Sequence, residues 1–415
     1  MSPAPAIRQK AVDETREGAT GMSAGAFSKT GLNGLHQSMA GHVRRGTVPG
    51  MVLGLQRGDE VHIDAIGTAG VGTSEPMRSD AIFRITSMTR PVTAVAVLLL
   101  VDQGRLELDE PVDRLLPELG TRRVLRTLNG PVDDSVAADR PISVRDLLTF
   151  RGGFGMILAS PEEYPILAAE ESLGLRSVGP PTPASSHDPD EWMSRMGSLP
   201  LMDQPGRQWR YSTGSQILGV LVARASGQSL ASFYRRHIFE PLGMNDTGFM
   251  VPSADRDRLV PCYHESDGAL VPFDDGGQWA EPRPFPDGGA GLISTVGDYL
   301  AFARMLANTG MHRGVKIVTP ELVAAMTTDQ LTAQQRATAG PILDGRGWGF
   351  GLSIIDPPEG GGRPKGYGWS GGFGTMWTND PDDDLSAILC TQVLANAGSG
   401  ELEADFWSAV DRAIG

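Results

Sequence analysis

From Val92 to Val101 the chain carries no charge, and Thr93 is the one strongly polar side chain in the run. A helix that is apolar on every side has no face to offer to water, so it belongs in the interior of a large fold. The surrounding stretch, ITSMTRPVTAVAVLLLVDQG over Ile85–Gly104, carries helix punctuation at both ends. Pro91 falls in the first turn, where its missing N–H does little harm, and Gly104 suits the residue that closes a helix. The stretch predicts a buried helix that begins at or just after Ser87, with its N-terminus pointed at that hydroxyl. Backbone N–H groups and the helix dipole favour negative charge there, as an alkoxide nucleophile or an oxyanion requires.

A helix of this kind needs a sizeable core around it, and 415 residues are ample; length alone suggests two or three domains. Apolar residues make up 40% and charged residues 21%, the balance of an ordinary globular protein. A net charge of −14 argues against nucleic acid and anionic membranes as partners. The longest uncharged apolar run, Pro91–Val101, is too short to span a bilayer, and the first eighteen residues hold no apolar signal segment. The expected location is therefore cytoplasmic. Cys262 and Cys390 lie far apart and form no metal-ligand pattern, and the histidines show no metal spacing, so no cofactor or metal is expected. A disulfide is possible but not indicated.

Along the chain, a weakly patterned start leads to a helix at about 31–45. Gly50–Gly67 alternates around Arg57-Gly58-Asp59 and predicts a β-hairpin. Ala81–Ile85 is a short strand candidate that delivers the chain to Ser87. LELDEPVDRLLPEL after Gly104 contains a short helix, and Ile142–Phe150 is amphipathic. Pro161–Pro205 reads as an irregular insertion around a pocket. Helices are expected at Gly214–Gly227, Leu230–Phe239, Val296–Asn308 and Pro320–Met326. From Trp348 the pattern turns to strands (WGFGLSII, GWSGGFGTMWTND, LSAILCTQV), with a charged turn at Pro381–Asp384 and a closing helix at Leu402–Ile414. Strands lie early and late and helices fill the middle. The expected fold class is α+β: an antiparallel sheet domain from residues 1–105 with 285–415, flanked by helices, and a mostly helical domain over 106–284. The cleft between them would hold the site.

Arg90 stands three residues after Ser87, on the same helical face. This stretch resembles the Ser-x-x-Lys motif of class C β-lactamases, penicillin-binding proteins and the family VIII carboxylesterases built on that fold. There the Ser is the nucleophile and the Lys helps to remove its proton. Arginine stays protonated and cannot be a general base. No Ser in the chain has a Lys three residues later. PGRQWRYSTGSQILG places Tyr211 at the head of a helix and resembles the Tyr-x-Asn motif, with Thr213 at the Asn position. The resemblance implies that Tyr211 is the general base and acid; read without it, Tyr211 is a packed tyrosine, with Ser212 or Thr213 as helix cap. GYGWSGGFGTMW resembles the strand of the Lys-Thr-Gly motif, which in the esterases is often Trp-x-Gly. Trp369, Ser370 and Gly371 take those places and Gly372 follows. The resemblance implies an oxyanion hole from the N–H groups of Ser87 and Gly372, each donor worth about 3–4 kcal/mol to the transition state. Trp369 lacks the positive charge that Lys would offer a substrate carboxylate, which favours neutral esters.

Gly368–Gly372 also matches G-x-S-x-G, the nucleophile elbow of α/β-hydrolases. The elbow must lead into a helix and be followed by Asp and then His, yet the sequence continues as strand and no His follows Ser370.

The function expected is a serine hydrolase of carboxylesterase type acting on a small ester or amide. It would work through acyl-Ser87, with Tyr211 as base and the permanent cation of Arg90 beside it. The alternatives are an acyltransferase, a weakly active or inactive binding protein in which Arg90 grips a carboxylate, and an inactivated Lys-to-Arg variant. Oligomeric state is left open. Lys365 reads as a solvated loop lysine rather than a substitute base. Trp192, Phe273, Trp279 and Phe285 are candidates for the apolar lining of the pocket.

Overall fold

The computed structural model describes residues 27–176, 187–274, 276–356, 364–394 and 399–414. Strands Gly50–Arg57 and Glu60–Gly67 form the expected hairpin, in register from Gly50↔Gly67 to Arg57↔Glu60. Gly58, with φ +56, supplies the left-handed turn that two-residue hairpin loops need. The late strands are Gly347–Trp348, Ser353–Ile355, Gly366–Gly371, Thr375–Asp380 and Leu385–Thr391. The two ends of the chain meet where Gly50–Arg57 pairs antiparallel with Leu385–Thr391, Met51 opposite Thr391 and Arg57 opposite Leu385. The result is one seven-stranded antiparallel sheet that runs through the late strands in order, then Gly50–Arg57, then Glu60–Gly67 at the edge.

The period of two along Gly50–Arg57 divides the core. Met51, Leu53 and Leu55 face helices Lys29–Arg45 and Ser399–Ile414 and pack with Leu35, Met39, Phe406 and Val410. Val52 faces the opposite layer, with Tyr299, Phe302, Trp377 and Ile388. Gly54 lets helix Val296–Ala307 lie close: a Cβ there would stand 2.5 Å from the Val296 side chain. Ser28 N–H donates to Ala413 O at 2.8 Å and locks the two terminal helices together.

The apolar run is the helix Thr89–Asp102, buried without interruption from Thr89 to Leu100. Each large apolar side chain so buried is worth about 1.5–3 kcal/mol over exposure. Helix Thr213–Ser226 packs beside it and ends at Gly227, φ +69, as the pattern predicted.

Several elements differ from expectation. The short helix expected after Gly104 is divided into two 3-10 turns, Val112–Arg114 and Pro117–Leu119. Pro111 and Pro117 deny it the N–H groups that a continuous helix would use. Leu230–Phe239 is α-helical only to Tyr234 and then widens into a π-turn. The stretch Pro161–Pro205 is not irregular throughout, since it contains helices Pro165–Ser172 and Pro189–Ser198. Asp188 caps the second, accepting from Glu191 N–H at 2.9 Å with Pro189 in the first turn. The middle of that stretch, 177–186, lies outside the described residues. Ala81–Ile85 shrinks to Phe83–Arg84, paired with Ile293–Ser294. Cys262 and Cys390 are both buried and free. Among the described residues no helix is long and apolar enough to cross a membrane.

Candidate active site

Ser87 sits in a 3-10 turn, Thr86–Met88, that feeds the buried helix. Its neighbours Thr86 and Met88 are buried, whereas Ser87 is partly open to solvent. Thr86 takes φ +43, a conformation that an L side chain adopts only under constraint. Two contacts supply that constraint. Ile85 N–H donates to Leu292 O at 3.1 Å, and the strand Gly366–Gly371 presses its last residue onto the turn. A Cβ on Gly371 would stand 2.3 Å from Ile85 O and 2.5 Å from Thr86 Oγ1, so glycine alone allows this approach.

Arg90 is 3% exposed, and its guanidinium binds four oxygens. Nε–H donates to Tyr211 Oη at 2.9 Å and Nη1–H to Ser212 O at 3.1 Å. Nη2–H reaches Ser212 Oγ at 3.2 Å and Ser87 Oγ at 3.4 Å. None of the four belongs to a carboxylate. Cζ also lies 4.3 Å from the centroid of the Tyr211 ring, within cation–π range.

A second donor reaches Tyr211 from the opposite wall: Trp369 Nε1–H lies 2.9 Å from the phenolic oxygen. That oxygen therefore faces two N–H groups, one of them on a cation, and negative charge developing on it is matched from both sides. Rings hold the phenol in place, with centroid distances of 5.5 Å to Trp369 and 5.9 Å to Phe150 and to Trp209. Trp348 packs between Phe150 and Trp369, 4.8 Å from each. Sequence reasoning missed Phe150, Trp209 and Trp348; the signal available was the repeated aromatic beside glycine or Tyr211 in LTFRGG, QWRY and GWGFG.

Ser212 does not cap its helix as the alternative reading of the motif had it. It adopts φ 92, ψ −69 and turns both its carbonyl and its hydroxyl to Arg90 instead. This strained conformation is held by the bonds it makes to the guanidinium.

Trp369 points inward to Tyr211, while Ser370 and Gly372 are exposed at the strand end and the turn after it. Strand, turn and antiparallel strand follow one another here, so Ser370 is not on a nucleophile elbow. Lys365 is bound in the acidic turn, 3.2 Å from Asp382 and 3.5 Å from Asp383. It precedes the strand whose far end touches the Ser87 turn, about 20 Å away at the rise of a β-strand. Of the expected pocket lining, Trp279 is instead fully buried, its Nε1–H on Asp274 Oδ2 at 2.9 Å. Trp192 and Phe285 pack on each other, 5.2 Å apart. Phe273 lies against Phe373, beside Gly372.

One carboxylate near Arg90 was not anticipated. Asp287 follows a proline in PFPDGGAGL, a pattern that signals only a turn, about two hundred residues beyond Ser87. Its Oδ1 accepts from Gly289 N–H at 2.6 Å and its Oδ2 from Gln216 Nε2 at 3.3 Å. The segment is tied onto the first turns of the buried helix: Thr93 Oγ1–H donates to Gly288 O, and Leu292 N–H to Thr89 Oγ1 at 3.1 Å. Burial pushes the Asp287 carboxyl up; the Gly289 N–H, the Arg90 charge and Gln216 oppose this.

Residues 35–411 match the family described as Beta-lactamase. Protein Rv1367c of Mycobacterium tuberculosis is 35% identical over 349 residues, 81% of this chain and 84% of that protein. Esterase EstB of Burkholderia gladioli is 32% identical over 383 residues, 86% of this chain and 89% of that one. Among solved structures, EstCE1, described as a hydrolase with promiscuous acyltransferase activity, superposes with a TM-score of 0.77. That match covers 92% of this chain and 98% of the other at 23% identity.

Proposed function

The chain belongs to the beta-lactamase family, and from that premise we propose that it is a serine hydrolase of carboxylesterase type. The observation that carries this reading is the pair of donors on Tyr211 Oη, one from a guanidinium that also reaches Ser87. In the proposed route Tyr211 takes the proton of Ser87 as Oγ attacks the ester carbonyl. The N–H groups of Ser87 and Gly372 hold the oxyanion. Tyr211 returns the proton to the departing alcohol and leaves acyl-Ser87. Water activated by Tyr211 then releases the acid. Arg90 stays charged throughout and exchanges no proton.

The reactive groups come from both proposed domains, Ser87 and Arg90 from 1–105 with 285–415 and Tyr211 from 106–284. This supports a site in the cleft between them. With Trp369 in the place of a lysine, nothing at that position draws in a substrate carboxylate, so the substrates proposed are neutral esters. Acyl transfer to an alcohol or amine is the second reading, favoured by the acyltransferase activity in the description of EstCE1. The test is hydrolysis of p-nitrophenyl esters, with a fluorophosphonate as label. The parent is expected to carry the label on Ser87, and Tyr211→Phe to lose at least about 100-fold in kcat. Full activity in Tyr211→Phe ends the scheme.

A further inference from the structure

Arg90 has five N–H groups, and Tyr211, Ser212 and Ser87 use four of them. The fifth belongs to Nη1. That nitrogen lies 2.8 Å from the point where a Cβ on Gly289 would stand, and Asp287 Oδ1 lies 3.1 Å from the same point. Cation and carboxylate therefore both border the point where Gly289 lacks a methyl group. The loop turn Asp287–Gly289, closed by Gly289 N–H on Oδ1, fixes the carboxylate there.

A buried guanidinium whose hydrogen bonds reach no carboxylate is costly unless an opposite charge stands near it. An uncompensated cation would also make the phenolate beside it too stable to be an effective base. We propose that Asp287 is the counter-charge of Arg90 and, through it, sets the pH at which Tyr211 gives up its proton. In this scheme Asp287 is a positioning residue; it does not touch the reacting atoms. The consequence for hydrolysis rests on the reading of Tyr211 as base, whereas the coupling of the three side chains does not.

The other groups around Asp287 do not compete for the role. From helix Thr213–Ser226 comes the neutral amide of Gln216. From helix Leu230–Tyr234 comes Tyr234, whose phenol burial pushes far up, so that it stays neutral. From its own segment come the N–H groups of Gly289 and Ala290. Arg90 is the charge that faces it.

The sign follows from the charges. At acid pH Asp287 is protonated, and the parent and Asp287→Asn are alike. Above its titration, ionised Asp287 cancels part of the field of Arg90 in the parent but not in Asp287→Asn. The variant should then ionise Tyr211 at a pH lower by about one unit, the effect of one charge roughly 8–10 Å away at an effective dielectric near 20.

The experiment measures two things in Asp287→Asn and Asp287→Glu, each alone and combined with Arg90→Gln. One is the pH profile of kcat/KM for a neutral p-nitrophenyl ester. The other is tyrosinate absorbance, read as a difference against Tyr211→Phe on protein whose circular dichroism is that of the parent. Expected are an acid limb and a tyrosinate titration both lowered by about one unit in Asp287→Asn. Asp287→Glu should return both towards the parent, and Arg90→Gln should erase the tyrosinate shift, because without the cation the buried Asp287 carboxyl keeps its proton and has no charge to remove. The inference is overturned if Asp287→Asn moves neither curve, if kcat/KM falls equally at every pH, or if the shift persists undiminished with Arg90→Gln. A shifted tyrosinate titration with an unmoved rate profile keeps the counter-charge and removes Tyr211 as the base.

Discussion

A guanidinium can hold a phenol and a hydroxyl at once because its three nitrogens point along fixed directions in one plane; an ammonium is a single point charge. Arg90 uses that geometry, with Nε on Tyr211 and Nη2 directed at Ser87. What it gives up is a nitrogen that can lose its proton. Arg90→Lys restores one, and hydrolysis of p-nitrophenyl esters is expected to rise about tenfold, measured as kcat at neutral pH. A fall would mean that the four bonds of the fork matter more than a second proton carrier. At this scale Ser87, Arg90, Tyr211 and Trp369 were legible because each sits in a short motif. Asp287 and Ser212 were not. Asp287 acts across two hundred residues of sequence, and the bonds of Ser212 to Arg90 depend on a positive φ that nothing in the residue type announces.

Among the elements, the one that fixes the site is the strand end at Gly371. Gly371→Ala would drive a methyl group into Ile85 O, Thr86 Oγ1 and Thr375 Oγ1, mostly backbone and short side chains with little room to move. The expected result is a loss of about 1–3 kcal/mol of stability in a denaturant melt, with hydrolysis falling as the Ser87 turn shifts. Gly372→Ala is the control for folding: open space surrounds its Cβ position, so the denaturant melt should stay near the parent. The long periodic elements were readable in the sequence. The apolar helix was legible from the length of its run and its end signals at Pro91 and Gly104, and the hairpin from its alternation about Gly58. The 3-10 turns at Pro111 and Pro117, the π-turn after Tyr234 and the helix Pro165–Ser172 are too short for a period to appear, and tertiary packing decides them.

For the molecule as a whole, the dependence of stability on pH should run against the usual expectation for an acidic protein. Burial pushes the carboxyl of Glu170 up to about 7 and that of Asp298 up to about 6, against ordinary values of 4.5 and 3.8. Between the ordinary and the raised value the folded state binds more protons than the unfolded one, so stability falls as pH rises through that window. Asp80, Asp109 and Glu118, held low by hydrogen bonds from Arg78, Arg145 and Arg224, act oppositely, and their contribution is lost as pH falls through their lowered values. Asp80 and Asp109 are largely exposed and count for little. The melting temperature is therefore expected to be higher in mild acid than at neutral pH, and Glu170→Gln to flatten that slope, as calorimetry across the interval will register. The α+β class and the sheet from both chain ends were legible from the distribution of strands. The register was not, since pairing Met51 with Thr391 is decided by packing on both faces of the sheet.

The clasp between Ser28 and Ala413 has a further meaning for how the chain acquires its form. The opening hairpin has a free edge until Leu385–Thr391 is synthesised, more than three hundred residues later, and that edge must stay soluble in the meantime. Because residues 28 and 413 already touch, a short peptide could join them and new ends could be opened in a surface turn elsewhere. Such a circular permutant would place Leu385–Thr391 and Gly50–Arg57 next to each other in time as they already are in space.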